Sequence, residues 1–281
     1  MPAPLRPDSL DEALTLLARP LLVQLTAGGP PLRPHPHALI MDTGRVMDMA
    51  GIRLAANTIF VGANTRYEVI QRSQLLKQRA ACLTDVCRRL ESAAPGGALL
   101  HDLAEKDVSH DLVLALEILD ARIEIAERDE QGAISRTLQP LHDFLHDQSE
   151  QPRIPLGVHL PAPTVFTGSA LYCEDDLGVL RPDVQCAAAI ISISEKTGLI
   201  EVARLYFATP GLWPFACAQA ATALIGLAPQ KEAIEAVVRL AQRICPQPRA
   251  SSPPYGVTLS FHLARVTLDR AFARIHTAPP L

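Results

Sequence analysis

The sequence predicts an α+β protein in two parts: a first half of short strands ending in glycine turns, and a small C-terminal domain of antiparallel strands and helices. Three observations carry this expectation. Apolar runs in the first half stop at turns such as Ala27-Gly28-Gly29-Pro30-Pro31 and Gly62-Ala63-Asn64-Thr65. A segment with four prolines, 152–163, then marks the approach to a domain boundary, placed between Pro161 and Pro182. Beyond it, two strand-like runs joined by Lys196-Thr197-Gly198 precede two amphipathic helical patterns.

Taken in order, Ser9-Leu10-Asp11-Glu12 has the S-x-x-E spacing of a capping box, and Leu10, Ala13, Leu14 and Leu17 then share one helical face until Pro20. Leu21 to Leu25 reads as a buried strand running into the first glycine turn. Ala38 to Met41 is a second apolar run, stopped by Asp42-Thr43-Gly44, and Thr58 to Val61 a third. A helical pattern covers Arg66 to Leu90 with a break near Ser73, and Ser92 to Gly97 is a loop. Asp111 to Leu119 is helical in character. Ala121 to Ala126 alternates as a half-buried strand does, and Asp129 to Gly132 makes a hairpin-type turn. Cys186 to Glu195 and Leu199 to Ala208 form the predicted hairpin. One helix then carries Ile234, Val237, Val238, Ala241 and Ile244 at core spacing, and the last carries Phe261, Ala264, Leu268, Ala271, Phe272 and Ile275. No internal repeat is visible.

Composition narrows the function classes. With 48% hydrophobic and 20% charged residues, the chain has the make-up of a globular domain. A net charge of −4 argues against nucleic acid as a partner. The most apolar stretch, Leu212 to Ala228, is broken by Pro214, Gln219 and Thr222, so no membrane span is expected. Prolines at 2, 4 and 7 and Asp8 interrupt any signal-peptide pattern, and the expected location is cytoplasmic. Cys82, Cys87, Cys173, Cys186, Cys217 and Cys245 include no C-x-x-C pair, and read as small buried hydrophobes. His142 and His146 stand at i, i+4 beside Asp143 and Asp147, but no third ligand is in reach, so no metal is expected and a solvated polar loop is. His35-Pro36-His37 reads as exposed loop; Trp213 and Tyr255 as core or rim aromatics able to stack on a ring. Nucleophile-elbow, Walker A and H-E-x-x-H motifs are absent, and there is no nucleophile–base pair, so no catalytic residue is assigned.

The order of elements resembles the medium, flavin-binding subunit of the molybdenum hydroxylases, the family of aerobic carbon monoxide dehydrogenase and xanthine dehydrogenase. The resemblance covers nearly the whole chain at low identity. The family's A-G-G-[TS]-x-L turn is matched by Ala27-Gly28-Gly29-Pro30-Pro31-Leu32, and its I-G-A-x-T strand end by Val61-Gly62-Ala63-Asn64-Thr65. Its T-I-G-G-N turn is matched by Gly96-Gly97-Ala98, followed by Asp107 and Asp111 before an apolar helix. Arg153 to Pro161 is similar to the E-I-L-x-x-I-x-[IV]-P peptide that closes the flavin domain.

The resemblance implies a two-part flavin-binding domain of the molybdopterin dehydrogenase type over 1–165, with subdomains of about 1–55 and 56–165, and a C-terminal domain over 166–281. It implies FAD as cofactor, clasped at its pyrophosphate by Gly28-Gly29 and Gly96-Gly97. Ala27, Leu32 and Ile154 would lie alongside, and Asp107 or Asp111 would accept bonds from cofactor hydroxyls. The implied partners are a molybdopterin-binding large subunit and a small subunit with two iron–sulfur clusters; electrons would pass from the clusters to flavin and on to an external acceptor. The turns depart from the family pattern. Pro30 and Pro31 lack N–H donors, Ala94-Pro95 precede the second glycine pair, and Ala98 replaces asparagine. Weak flavin binding is therefore expected, and a flavin-free docking subunit is the alternative.

Overall fold

The computed structural model describes residues 3–29, 35–106, 108–129, 131–149, 151–163, 166–173, 184–209, 212–244 and 255–276, with side chains except at 242, 244, 255–261 and 276. Pro30, Pro31, Leu32 and Asp107 lie outside the described residues, as does the side chain of Tyr255.

Helix α1 (Leu10–Leu17) opens as the capping box predicts: the Ser9 hydroxyl accepts from the Glu12 N–H at 3.2 Å. The Glu12 carboxylate accepts from the Asp8 N–H. Strand β1 (Val23–Thr26) starts two residues later than expected, leaving Leu21 and Leu22 exposed. It pairs in parallel with β2 (Leu39–Asp42), setting Thr26 opposite Asp42. After a short 3-10 turn at Met47–Met49 come β3 (Ile52–Ala55) and β4 (Thr58–Gly62). The helical stretch that follows is three helices, α2 (Tyr67–Arg72), α3 (Gln74–Arg79) and α4 (Ala81–Ala93). Ser73 is the expected break; its hydroxyl caps α3. Helices α5 (Leu99–Glu105) and α6 (His110–Ile118) lead to β5 (Arg122–Arg128), β6 (Ile134–Pro140), α7 (Leu141–His146) and β7 (Arg153–Pro161). The C-terminal elements are β8 (Thr167–Cys173), β9 (Cys186–Ile193), β10 (Ile200–Ala208), β11 (Phe215–Ala216), α8 (Ala218–Thr222), α9 (Lys231–Ile244) and α10 (Tyr255–His276).

The proline-rich 152–163 segment, expected as a connection, is a nine-residue strand inside an antiparallel sheet of order β3-β4-β7-β5-β6. Pro155, with no N–H to donate, stands where the β5–β7 register shifts, so the bulge absorbs its missing bond. His142 and His146, expected in a polar loop, lie on α7 with their rings stacked at 4.2 Å, and no group of three metal-binding side chains occurs among the described residues.

Contacts divide the chain into two compact units that depart from chain order. The first comprises residues 1–70, 94–108 and 120–161. The second comprises 71–93, 109–119 and 162–281, so α3, α4 and α6 group with the C-terminal strands. Its sheet has the order β11-β10-β9-β8, and β9 is buried at all eight positions, as a strand covered on both faces must be. Alternate β9 residues Ala187, Ala189 and Ile191 pack with Leu263, Ala264, Leu268 and Ala271 of α10. Helix α10 comes so near β8 that a Cβ at Gly168 would lie 1.9 Å from the Ala271 carbonyl oxygen.

Two cysteines overturn the expectation of separate thiols. Cys173 and Cys186 face each other across β8 and β9, 4.1 Å apart at Cα, and form a disulfide. Cys82, Cys87 and Cys217 are buried thiols. Burial pushes the Cys82 thiol up to about 12, the state of a structural rather than a reactive cysteine.

Candidate functional site

The first glycine turn leaves β1 at Thr26, and Gly28 adopts φ +79°, a conformation a side chain disfavours. The parallel pairing puts Asp42 beside it. One Asp42 carboxylate oxygen accepts from the Gly28 N–H at 2.8 Å and from the Gly44 N–H at 3.0 Å. The other lies 3.6 Å from Arg6. Gly44 is close enough that a Cβ there would stand 3.0 Å from the Gly28 Cα. A depression of about 280 Å³ opens at this turn, lined by Thr26, Gly28, Gly29, Arg6 and Asp42. The Thr26 hydroxyl is buried without a hydrogen-bond partner.

The second turn is of type II in its sequence and bonding: Pro95 at its second position, Gly96 at φ +79° in the third, and the Gly97 N–H donating to the Ala94 carbonyl at 3.0 Å. A Cβ at Gly97 would meet the Tyr67 ring at 2.6 Å, so glycine is required by packing. Tyr67 is fully buried, and its hydroxyl donates a short bond to Asp102.

The segment 62–67 ties the turns together. Asn64 exchanges bonds with Thr43, which bonds the Thr26 carbonyl beside the first turn. The carbonyls of Ala63 and Thr65 accept from Leu100 and Leu99, and the Tyr67 N–H donates to Gly97. Arg66 thereby sits at both turns. Its backbone bridges to Ala98, and its exposed guanidinium lies 3.5 Å from the Gly28 carbonyl. Neither Arg66 nor Asp42 falls in a family motif of the sequence; only their neighbours do.

Of the residues expected at the site, the structure brings Ala27, Gly28, Gly29, Gly96 and Gly97 to this region. Ala27, Ala63, Ala98 and Ile154 share one core. Asp111 is committed elsewhere. It belongs to the second unit, is 2% exposed, pairs with Arg89 at 3.5 Å and accepts from the Leu112 N–H, which leaves it unsuited to binding cofactor hydroxyls.

A second cavity in the same unit, about 510 Å³, is lined by Leu25, Leu103, Phe144 and Pro155, with Lys106 and Arg153 among its polar groups. Arg153 and the Lys106 ammonium both bond Asp147, and the second terminal nitrogen of Arg153 is buried without a partner. Desolvation, then the Arg153 charge, pushes Lys106 below its ordinary value. A cavity of this size with apolar walls and a few convergent donors has the character of a small-molecule site.

For a dinucleotide the turns offer a cation and positive-φ glycines but few backbone donors. The positive-φ glycines, the unpartnered Thr26 hydroxyl and Arg153 nitrogen, and the cationic Arg66 suit an anionic cofactor. The N–H groups of Gly28, Gly97, Ala98 and Leu99 already bond Asp42, Ala94, His101 and Thr65.

His101 follows the second turn at 6% exposure, and burial lowers its pKa below the ordinary 6.5. The neutral ring is therefore the folded form, and the unfolded chain binds the extra proton. Stability supplied by neutral His101 is present above about pH 6.5 and falls as the pH drops below it. Thermal midpoints from pH 8 to 5 are expected to fall more steeply for the parent than for His101→Gln; parallel slopes would remove His101 from this role.

The family described as FAD binding domain in molybdopterin dehydrogenase matches residues 3–163. Among solved structures, carbon monoxide dehydrogenase from Hydrogenophaga pseudoflava is similar at 23% identity and a TM-score of 0.72, over 98% of this chain and 99% of that one. Reconstituted CO dehydrogenase from Oligotropha carboxidovorans matches at 20% and 0.71 over the same shares. Quinoline 2-oxidoreductase from Pseudomonas putida 86 matches at 19% and 0.72, over 97% of this chain and 98% of that one. These likenesses establish the fold. No curated protein matches the sequence.

Proposed function

This chain belongs to the family of FAD-binding domains in molybdopterin dehydrogenase, and on that premise we propose that it is the FAD-carrying electron-transfer subunit of a molybdopterin-containing oxidoreductase. The observation that carries the reading is Arg66 within the matched region, whose guanidinium stands at the first glycine turn while its backbone bridges to the second. It supplies to a pyrophosphate what Pro30 and Pro31 withhold. Ala27, Gly28, Gly29, Leu32, Gly96, Gly97, Asp107 and Ile154 would contact the cofactor, and the apolar cavity at Leu25 and Pro155 would take one of its rings. When bound, FAD supplies redox chemistry that the side chains of this protein lack.

The partners on this reading are a molybdopterin-binding large subunit, where substrate is oxidised, and a small subunit whose two iron–sulfur clusters deliver electrons. We assign no metal to this chain, and place it in the cytoplasm. Among the described residues no helix is long and apolar enough to cross a membrane.

A specific observation favours a second reading, the flavin-free docking subunit. The N–H groups of Gly28, Gly97, Ala98 and Leu99 are engaged internally, with the Asp42 carboxylate holding the Gly28 N–H that an anion would use. Fluorescence-quenching titration with FAD separates the two. The parent is expected to bind weakly. Pro30→Thr is expected to bind about tenfold more tightly, since a restored bond to a charged group contributes roughly 1.5–3 kcal/mol. Tight stoichiometric binding by the parent with no gain in the variant would refute the donor-loss argument. Quenching in neither would establish the flavin-free subunit.

A further inference from the structure

We propose that the second unit holds an anion site for a phosphate-bearing small molecule, built from Arg72, Lys77 and Arg88 around the pair of buried Asp85 and half-buried Arg274. A cavity of about 510 Å³ is lined there by these five residues and by Gln71, Ala81 and Thr84, a volume within the range of small-ligand pockets. Asp85 and Arg88, with Ala81 and Thr84, fall on one face of α4 at i, i+3, i+4 and i+7 spacing. Arg72 ends α2, Lys77 stands in the last turn of α3, and Arg274 reaches in from α10.

Asp85 anchors the wall without needing all these cations. Its two oxygens accept from Arg274 at 2.6 and 2.8 Å, from Arg88 at 3.0 Å and from the Leu171 N–H at 3.1 Å. Four bonds fill the roughly four lone-pair sites of a carboxylate. Arg72 and Lys77 are therefore not drawn in to satisfy it. The lining carries four cationic side chains and one carboxylate, although the whole protein carries −4. Arginine forks with a lysine ammonium are the donor set that matches a phosphate dianion. The Gln71 amide adds a neutral donor. The site does not rest on the flavin reading, since every residue lining it belongs to the second unit and both glycine turns to the first.

The test is calorimetric titration of the purified full chain with inorganic phosphate, at ionic strength held constant with chloride. Saturable binding is expected. Lys77→Ala and Arg72→Ala, both at exposed positions, should each weaken it about tenfold, and together more. Lys196→Ala, in the exposed turn between β9 and β10, should leave it unchanged. No saturable binding in the parent, or equal affinity in the double variant, would overturn the site. Binding lost in Arg66→Ala but kept in Lys77→Ala would move the anion to the flavin turns and equally overturn it.

Discussion

Arg274→Ala is expected to destabilise the protein by about 3–5 kcal/mol, the cost of leaving a buried carboxylate without its principal counter-charge. Asp85 is 5% exposed in its side chain, and Arg274 grips both its oxygens while also donating to the Ser169 carbonyl at 2.7 Å. Arg88 cannot replace it: that side chain is 62% exposed and gives Asp85 one bond at 3.0 Å. Urea unfolding of parent and variant measures the loss. The double change Asp85→Asn with Arg274→Met is expected to recover part of it, because removing both charges leaves no stranded one. A loss under about 1 kcal/mol in the single variant would show that water reaches Asp85 freely, as it does at surface ion pairs.

The second large effect concerns the cofactor. Arg66→Ala should weaken FAD binding about ten- to hundredfold, the worth of one charge-assisted bond of roughly 1.5–3 kcal/mol. The side chain is exposed and touches the first turn through a single 3.5 Å contact, so the fold should survive its removal. Arg66→Lys should restore part of the affinity, keeping the charge without the planar fork. Riboflavin, which carries no phosphate, should bind parent and variant alike. Equal FAD affinity in parent and Arg66→Ala would remove the arginine from the site while leaving the family membership intact.

Much of the first half of the chain was legible because its signals are local. The Ser9 cap, the Ser73 break and the glycine turns depend on residues within four positions of each other, and each is found where its pattern stands. The strand β7 was not legible, since prolines at 152, 155, 161 and 163 argue against a central strand. A register shift opposite Pro155, visible only once β5 pairs with β7, makes that strand possible. Likewise Gly157 is required because a Cβ would lie 2.5 Å from the Val61 carbonyl oxygen of the neighbouring strand β4, ninety-odd residues away in sequence.

The sequence by itself determined the α+β class, the two glycine turns and the family to which they belong. Periodicity and turn chemistry act over a few residues and survive low identity. Tertiary structure alone decided which groups meet. It paired Cys173 with Cys186, placed Asp42 on the Gly28 N–H, set Arg66 against both turns, and turned Asp111 toward Arg89. It also joined α4 to α10 through Asp85 and Arg274, 189 positions apart. The physical reason is one of range. Hydrogen bonds and ion pairs form within a few ångströms, and no pattern of spacing along a chain records which distant residues will come that near.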